Sequence, residues 1–127
     1  QPLTWKTINQ GSVAFLRGSN TIRKNLDSKN RVSLTSNIQV LEMVANERAD
    51  SAIMFASVAT SLLKQHAELN EKLIIQKSAV MSYPLFIFLN KKHSKLIPKL
   101  EQSIRQLKSS GFIHSTAKKY QVKSPSI

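Results

Sequence analysis

The chain has 127 residues, enough for one domain of ordinary size with a single hydrophobic core. Its apolar fraction of 41% can fill such a core and excludes a wholly disordered chain. Because the chain has no cysteine, a disulfide framework and a thiolate metal site are excluded as well. The longest apolar run, residues 80–89, has about half the length that crosses a bilayer, so no transmembrane span is expected.

The chain is strongly basic, with 19 Lys and Arg against 7 Asp and Glu, a formal net charge of +12. From residue 91 onward there are nine basic residues and one acid, Glu101, which accounts for +8 (9 minus 1). The nine are Lys91, Lys92, Lys95, Lys99, Arg105, Lys108, Lys118, Lys119 and Lys123. Such an excess indicates nucleic acid, an anionic membrane surface or an acidic partner. The alternative is a solvated helix face whose balancing acids lie on another segment.

The first predicted element is a buried strand over residues 12–16, a mainly apolar run that directly follows Gly11. A helix is expected to follow from residue 20 or 21 to about residue 26. Its apolar positions, Ile22 and Leu26, are four residues apart and therefore lie on one face.

Strands and helices are then predicted to alternate. We expect a strand over 31–35, a helix from 36 or 37 to about 48, a strand over 49–55 and a helix over 56–66. Two further strands are predicted over 73–75 and 85–89, the second so apolar that both of its faces should be covered. This order predicts an α/β fold with a mainly parallel sheet flanked by helices.

The C-terminal part is predicted to be helical. Ser94 is expected to cap the longest helix, and Gly111 to end it. The apolar positions of this helix step by three, four and three residues along one face; they are Ile97, Leu100, Ile104 and Leu107. A short last helix is expected over 112–120, followed by a polar tail over 121–127.

No catalytic, metal or cofactor constellation is visible. His66, His93 and His114 fall in different elements without metal-ligand spacing. Three glycines cannot build a phosphate-binding or dinucleotide-binding loop. Glu47 and Asp50 lie at a helix-to-strand corner, where turn and capping roles are expected. The sequence therefore predicts a protein that is not an enzyme and needs no cofactor.

The turn over residues 17–21 is the strongest candidate binding site. Gly18 permits a sharp turn, and Ser19, Asn20 and Thr21 place backbone N–H groups and small polar side chains at a helix N-terminus. Such a position favours a carboxylate or phosphate, to which Arg17 would add a forked, charge-assisted contact. The alternative is that Ser19 or Asn20 only caps its own helix.

A resemblance to a known family rests on the ordered segments SVAFLRGSNTIRKNL, NIQVLEMVANERADSAIMFASVATSLL and YPLFIFLNKKHSKLIPKLEQSIRQLKSSGFIHSTAKKY. They contain an Arg-Gly-Ser turn after a strand, an acid-Arg-x-Asp corner at residues 46–50, and a helix stop at 107–111. From about residue 3 to residue 120 the chain resembles the second half of type 2 periplasmic solute-binding proteins of the amino-acid type (bacterial extracellular solute-binding protein family 3).

The resemblance implies a division of the chain. Residues 3–82 would be the second lobe, and residues 83–120 a return strand and C-terminal helices that pack on the first lobe, whose N-terminal half is absent here. The ligand would lie in the cleft between the lobes, held by the turn at 17–21. The apolar face of the C-terminal helices would then need cover from a longer chain or from a second copy that exchanges this segment.

Phe55 stands where amino-acid binders of the family place an Asp that holds the ligand ammonium. The resemblance therefore implies a small polar, anionic solute, which the Phe55 ring would cover or stack on. The alternative for Phe55 is packing in the core.

Three functions follow from these observations. The first is capture of a solute in the periplasm for uptake by an ABC transporter, without catalysis. The second is an extracytoplasmic ligand-sensing domain of a membrane signalling protein with the same fold. The third is a basic nucleic-acid-binding module, for which the sequence shows no known reader motif. The expected partners are the solute, a membrane transporter or signalling protein, and a second copy of the chain.

Overall fold

The computed structural model describes residues 2–120 and shows an α/β fold in which helices flank a small parallel sheet. The chain divides into two compact units, one ending at Met81 and one beginning at Ser82. The first, here called the sheet unit, contains α1 (Trp5–Ile8), β1 (Val13–Leu16), α2 (Asn20–Asn25), a 3₁₀ turn (Ser28–Asn30), β2 (Arg31–Leu34), α3 (Asn37–Ala45), β3 (Ser51–Ile53), α4 (Ala56–Gln65) and α5 (Ala67–Asn70). The second, the C-terminal unit, contains a 3₁₀ helix (Lys91–Leu96), α6 (Ile97–Ser109) and α7 (Phe112–Lys119).

The sheet has three parallel strands in the order β2-β1-β3. Because β1 has a neighbour on each side, its residues Val13, Ala14 and Phe15 are buried. The predicted strands over 12–16, 31–35 and 49–55 are confirmed in position, although the last is only three residues long.

The two faces of β1 pack on different helices, because successive side chains of a strand point to opposite faces. Val13 and Phe15 pack in one cluster with Ile22 of α2. Ala14 packs in another cluster with Val40 of α3. The helix that joins β1 to β2 and the helix that joins β2 to β3 therefore lie on opposite faces of the sheet.

Two short helices were not predicted from the sequence. At the start of α1, Thr4 and Thr7 form a capping box, in which the side chain of each accepts a hydrogen bond from the backbone N–H of the other. Thr7 occupies the position at which a capping box usually has Glu or Gln. In α5, Leu69 is buried in a cluster with Leu41 and Leu63. The predicted helices corresponding to α3 and α4 are confirmed.

The predicted strands over 73–75 and 85–89 are wrong, since the structure assigns neither segment to a strand. A strand exists only when its backbone pairs with a neighbour, and an apolar run does not specify that neighbour. Leu73 instead packs its side chain on the cluster of Leu41. The run at 85–89 lies exposed along most of its length.

The start of the C-terminal helix also differs from the prediction. The side chain of Asn90, not that of Ser94, caps the first turn by accepting a hydrogen bond of 3.1 Å from the Lys92 N–H. The α-helix begins only at Ile97, because Pro98 lacks an N–H and therefore fits the first turn. The predicted stop at Gly111 is confirmed, with a left-handed φ of 79°. The predicted tail, 121–127, lies outside the described residues.

Candidate functional site

The predicted site residues lie at one edge of the sheet. In a parallel sheet all strands point the same way, so the turns that follow them meet at the same, carboxyl edge. The turn at 17–21 follows β1, and Phe55 follows β3 by two residues. Since β1 and β3 are hydrogen-bonded neighbours, the turn and Phe55 belong to adjacent strand ends.

This edge contains a topological switch point. From β1 the chain crosses one face to β2, and from β2 it crosses the opposite face to β3 on the far side of β1. Open α/β sheets bind ligands outside the carboxyl ends of the strands where the connections diverge in this way. Here that position lies between the carboxyl ends of β1 and β3.

The backbone of the turn is more occupied than the sequence predicted. Gly18 adopts a φ of 90°, which confirms the need for glycine. However, the Ser19 N–H donates to the Leu16 carbonyl at 3.1 Å, and the Asn20 N–H donates to the Gly18 carbonyl at 2.9 Å. The expectation that three N–H groups are open was therefore wrong for two of them. Within residues 2–120, the Thr21 N–H has no acceptor.

The side chains of the turn are uncommitted. Ser19 occupies the N-cap position of α2, but its hydroxyl makes no capping hydrogen bond, and within residues 2–120 the side chains of Ser19 and Asn20 form no hydrogen bond. Arg17 is exposed and has no carboxylate partner in the same range. Residues 17–25 carry three cations and no acid. The turn therefore presents a hydroxyl, an amide and a guanidinium in a locally positive segment.

Phe55 is not a core residue, because its side chain is 59% exposed. It occupies the N-cap position of α4, whose first turn receives no side-chain cap. The core-packing alternative for Phe55 is thus wrong. The carboxyl edge therefore carries an exposed aromatic ring after β3 and a positively charged turn after β1.

Strand β2 brings two further polar residues to the same carboxyl edge. The sequence analysis did not place them there. Thr35 and Ser36 follow β2, and the Arg17 N–H donates to the last carbonyl of that strand, Leu34, at 2.7 Å. The Ser36 hydroxyl caps α3 by accepting from the Gln39 N–H. The signal available in the sequence was a Ser or Thr directly after a predicted strand and before a helix.

The opposite, amino edge of the sheet is closed by Asp50, in the capping role that the sequence predicted. The Asp50 carboxylate accepts hydrogen bonds from the Ser12 N–H at 2.7 Å and the Ser12 hydroxyl at 2.8 Å. Both bonds favour the charged form and hold the pKa of Asp50 below its ordinary value. Gly11 makes room for this contact, since a Cβ there would lie 2.6 Å from the Asp50 Oδ2. We call these two hydrogen bonds the Ser12–Asp50 clamp, and its role is structural.

Comparisons of the chain with protein-family models, with curated proteins and with solved structures found no match. In the part of the chain from residue 2 to residue 120, no group of three or more His, Asp or Glu side chains is placed to hold a metal ion. Over the same residues, no helix is long and apolar enough to cross a bilayer.

Proposed function

We propose that this chain forms the second lobe of a type 2 periplasmic solute-binding protein, which captures a small anionic solute for uptake. The solute would bind at the carboxyl edge of the sheet, between the turn at 17–21 and Phe55. No bond of the solute is made or broken in this proposal.

The observation that carries the proposal is the strand order β2-β1-β3. It brings the turn at 17–21 and Phe55 to the two strand ends that border the switch point. The Ser19 hydroxyl does not cap α2, and the Phe55 side chain is exposed.

An anion is favoured by the charge and hydrogen-bonding groups of the turn. Arg17 supplies a guanidinium that can bind a carboxylate or phosphate through two parallel hydrogen bonds. Ser19 and Asn20 add neutral donors, and each hydrogen bond to a charged group contributes about 1.5–3 kcal/mol. Three such contacts add up to about 4.5–9 kcal/mol, from which an association cost of about 4 kcal/mol or more is subtracted, so the turn alone supports binding in the millimolar range.

Phe55 selects against solutes with a free ammonium group. Its ring contacts carbon atoms well but attracts a cation only weakly through the ring face. A solute with one or two carboxylates on a short carbon skeleton therefore fits this edge better than an α-amino acid.

The proposal is tested by isothermal titration calorimetry of the chain with acetate, succinate, inorganic phosphate and glutamate. We expect at least one of the first three to bind more tightly than glutamate. The double variant Ser19→Ala, Asn20→Ala should weaken that binding by about tenfold or more, through loss of two hydrogen bonds to a charged group.

The matched control is Ser61→Ala with Asn70→Ala, which removes the same chemical groups from α4 and α5 and should leave the affinity unchanged. Binding by none of the four solutes, or equal affinity in the Ser19 and Asn20 double variant, would contradict the proposal. Mass spectrometry of small molecules released from the protein purified from its host would then identify the natural solute.

A further inference from the structure

The side chain of Gln39 is held at the carboxyl edge of the sheet. Gln39 belongs to the first turn of α3, which follows the end of β2. Its carboxamide oxygen accepts a hydrogen bond of 2.8 Å from the Thr35 hydroxyl. Since Thr35 is the first residue after β2, this bond draws the Gln39 carboxamide over the strand ends.

The bond with Thr35 also decides which group of the Gln39 amide is available. A carboxamide has an acceptor oxygen and a nitrogen with two donor N–H groups. The oxygen accepts from Thr35, whereas the nitrogen makes no hydrogen bond within residues 2–120. The Gln39 side chain is exposed. It therefore presents two neutral donors, which suit an oxygen acceptor.

These donors lie beside the turn at 17–21. The Arg17 N–H donates to the Leu34 carbonyl at 2.7 Å, which ties the start of the turn to the end of β2. Thr35 follows Leu34 directly. Because β2 and β3 flank β1 on opposite sides, the Gln39 donors are displaced from the turn toward β2, and Phe55 is displaced toward β3.

A solute anchored at the turn by one carboxylate thus has different neighbours on its two sides. On the β3 side it meets an exposed aromatic ring, and on the β2 side it meets two N–H donors. A compact anion such as acetate or inorganic phosphate is too small to reach both the turn and the donors, since neighbouring strands are about 5 Å apart. A second carboxylate on a short carbon chain spans that spacing.

We infer that Gln39 binds the second carboxylate of a short dicarboxylate whose first carboxylate lies at the turn. Thr35 is a positioning residue, which holds the Gln39 amide with its nitrogen available. The inference rests on the proposed function and narrows its solute from a small anion to a dicarboxylate.

The test is a titration of the full ¹⁵N-labelled chain with acetate and with succinate, followed by nuclear magnetic resonance. Succinate should bind about tenfold more tightly than acetate, because its second carboxylate gains hydrogen bonds from the Gln39 amide. The side-chain N–H resonances of Gln39 should shift with succinate and not with acetate.

The variant Gln39→Leu removes the donors and keeps the charge and approximate size of the side chain. It should weaken succinate binding by about tenfold and change acetate binding by less than about twofold. Gln102→Leu is the matched control, because it removes the same group from an exposed position of α6 and should change neither affinity.

The positioning role of Thr35 has a separate test. Thr35→Val removes the hydroxyl at nearly constant volume and should weaken succinate binding by about threefold or more, while Thr35→Ser keeps the hydroxyl and should bind as the parent does. A general structural defect would weaken acetate binding as well. Since Thr35 and Gln39 are exposed, all of these variants should unfold thermally as the parent does.

The outcomes separate this inference from the proposed function. Equal affinity for acetate and succinate, with both weakened by Ser19→Ala and Asn20→Ala, would overturn the inference and leave the solute site at the turn standing. Unchanged succinate affinity in Gln39→Leu would show that charge alone attracts the second carboxylate, and it would also overturn the inference. Binding of neither solute would contradict the proposed function and this inference together.

Discussion

The two units of this chain differ in how completely they bury their apolar faces. In the sheet unit, both faces of β1 are covered by helices, and Val13 and Ala14 are inaccessible to solvent. In the C-terminal unit, no residue of α6 or α7 is buried, although α6 has a continuous apolar stripe. An amphipathic pattern predicts which face of a helix is buried, but it does not identify the element that packs on that face.

The same difference bears on where the proposed solute site lies. The sheet unit closes the core around β1 with its own elements, although Ile74 is exposed, and at its carboxyl edge the Ser19 hydroxyl makes no capping hydrogen bond. The C-terminal unit leaves an apolar run and a set of lysines uncommitted. We therefore place the proposed solute site in the sheet unit.

The largest expected effect tests this contrast directly with one substitution in each unit. Phe15→Ala should lower the free energy of unfolding by about 3–5 kcal/mol, because the buried ring leaves a cavity. Phe88→Ala should change it by less than about 0.5 kcal/mol, since its ring is exposed. Urea unfolding followed by the fluorescence of Trp5, which packs on the Phe15 cluster, measures the first effect. Equal destabilisation by the two substitutions, with circular dichroism as a second probe, would contradict the contrast.

A smaller effect is expected at the amino edge of the sheet. Gly11→Ala places a methyl group against the Asp50 carboxylate and should destabilise the sheet unit by about 1–3 kcal/mol. In an Asp50→Ala background the obstructing group is gone, so the same substitution should cost much less. A double-mutant cycle measured by urea unfolding gives this coupling. Strict additivity would mean that Gly11 and Asp50 do not share the contact.

The smallest expected effect concerns pH. Because the pKa of Asp50 is lower in the folded than in the unfolded chain, its contribution to stability is present above the ordinary value of 3.8. That contribution is lost as the pH falls through the lower, folded pKa. Asp50→Asn should thus reduce the acid dependence of the melting temperature below about pH 4.

Asp27→Asn is the control, since the Asp27 side chain makes no hydrogen bond within the described residues. Identical acid dependence for the parent and the Asp50 variant would show that the clamp with Ser12 does not hold the charged carboxylate.

The sequence predicted β1, β2, β3, α3 and α4 of the sheet unit in position, because these elements are specified locally, but not α1 and α5. The apolar run after Gly11, the stripe on α3 and the glycine after Leu16 each determine their own structure. The run at 85–89 was predicted as a strand on the same grounds, and this failed because a strand depends on a neighbour outside the run. The strand predicted over 73–75 failed in the same way, although Leu73 packs on a cluster of its own unit, so a local apolar pattern predicts burial better than it predicts strand pairing.

The candidate site was predictable in its position but not in its details. Gly18 indicated the turn after β1, and parallel strands fixed the edge at which it lies. That the Ser19 and Asn20 N–H groups bond within the turn depends on backbone angles that residue types do not encode. The pairing of Ser12 with Asp50 joins residues 38 positions apart and also required the three-dimensional structure.

The most direct test of the central claim is to map anion binding residue by residue on the ¹⁵N-labelled chain, with the tightest of acetate, succinate and inorganic phosphate from the calorimetric panel. We expect the largest saturable amide shifts at residues 17–21 and at Phe55, with much smaller changes among the lysines beyond residue 90. The largest shifts at those lysines, without saturation, would show that the chain attracts anions only through its charge and would contradict a solute site in the sheet unit.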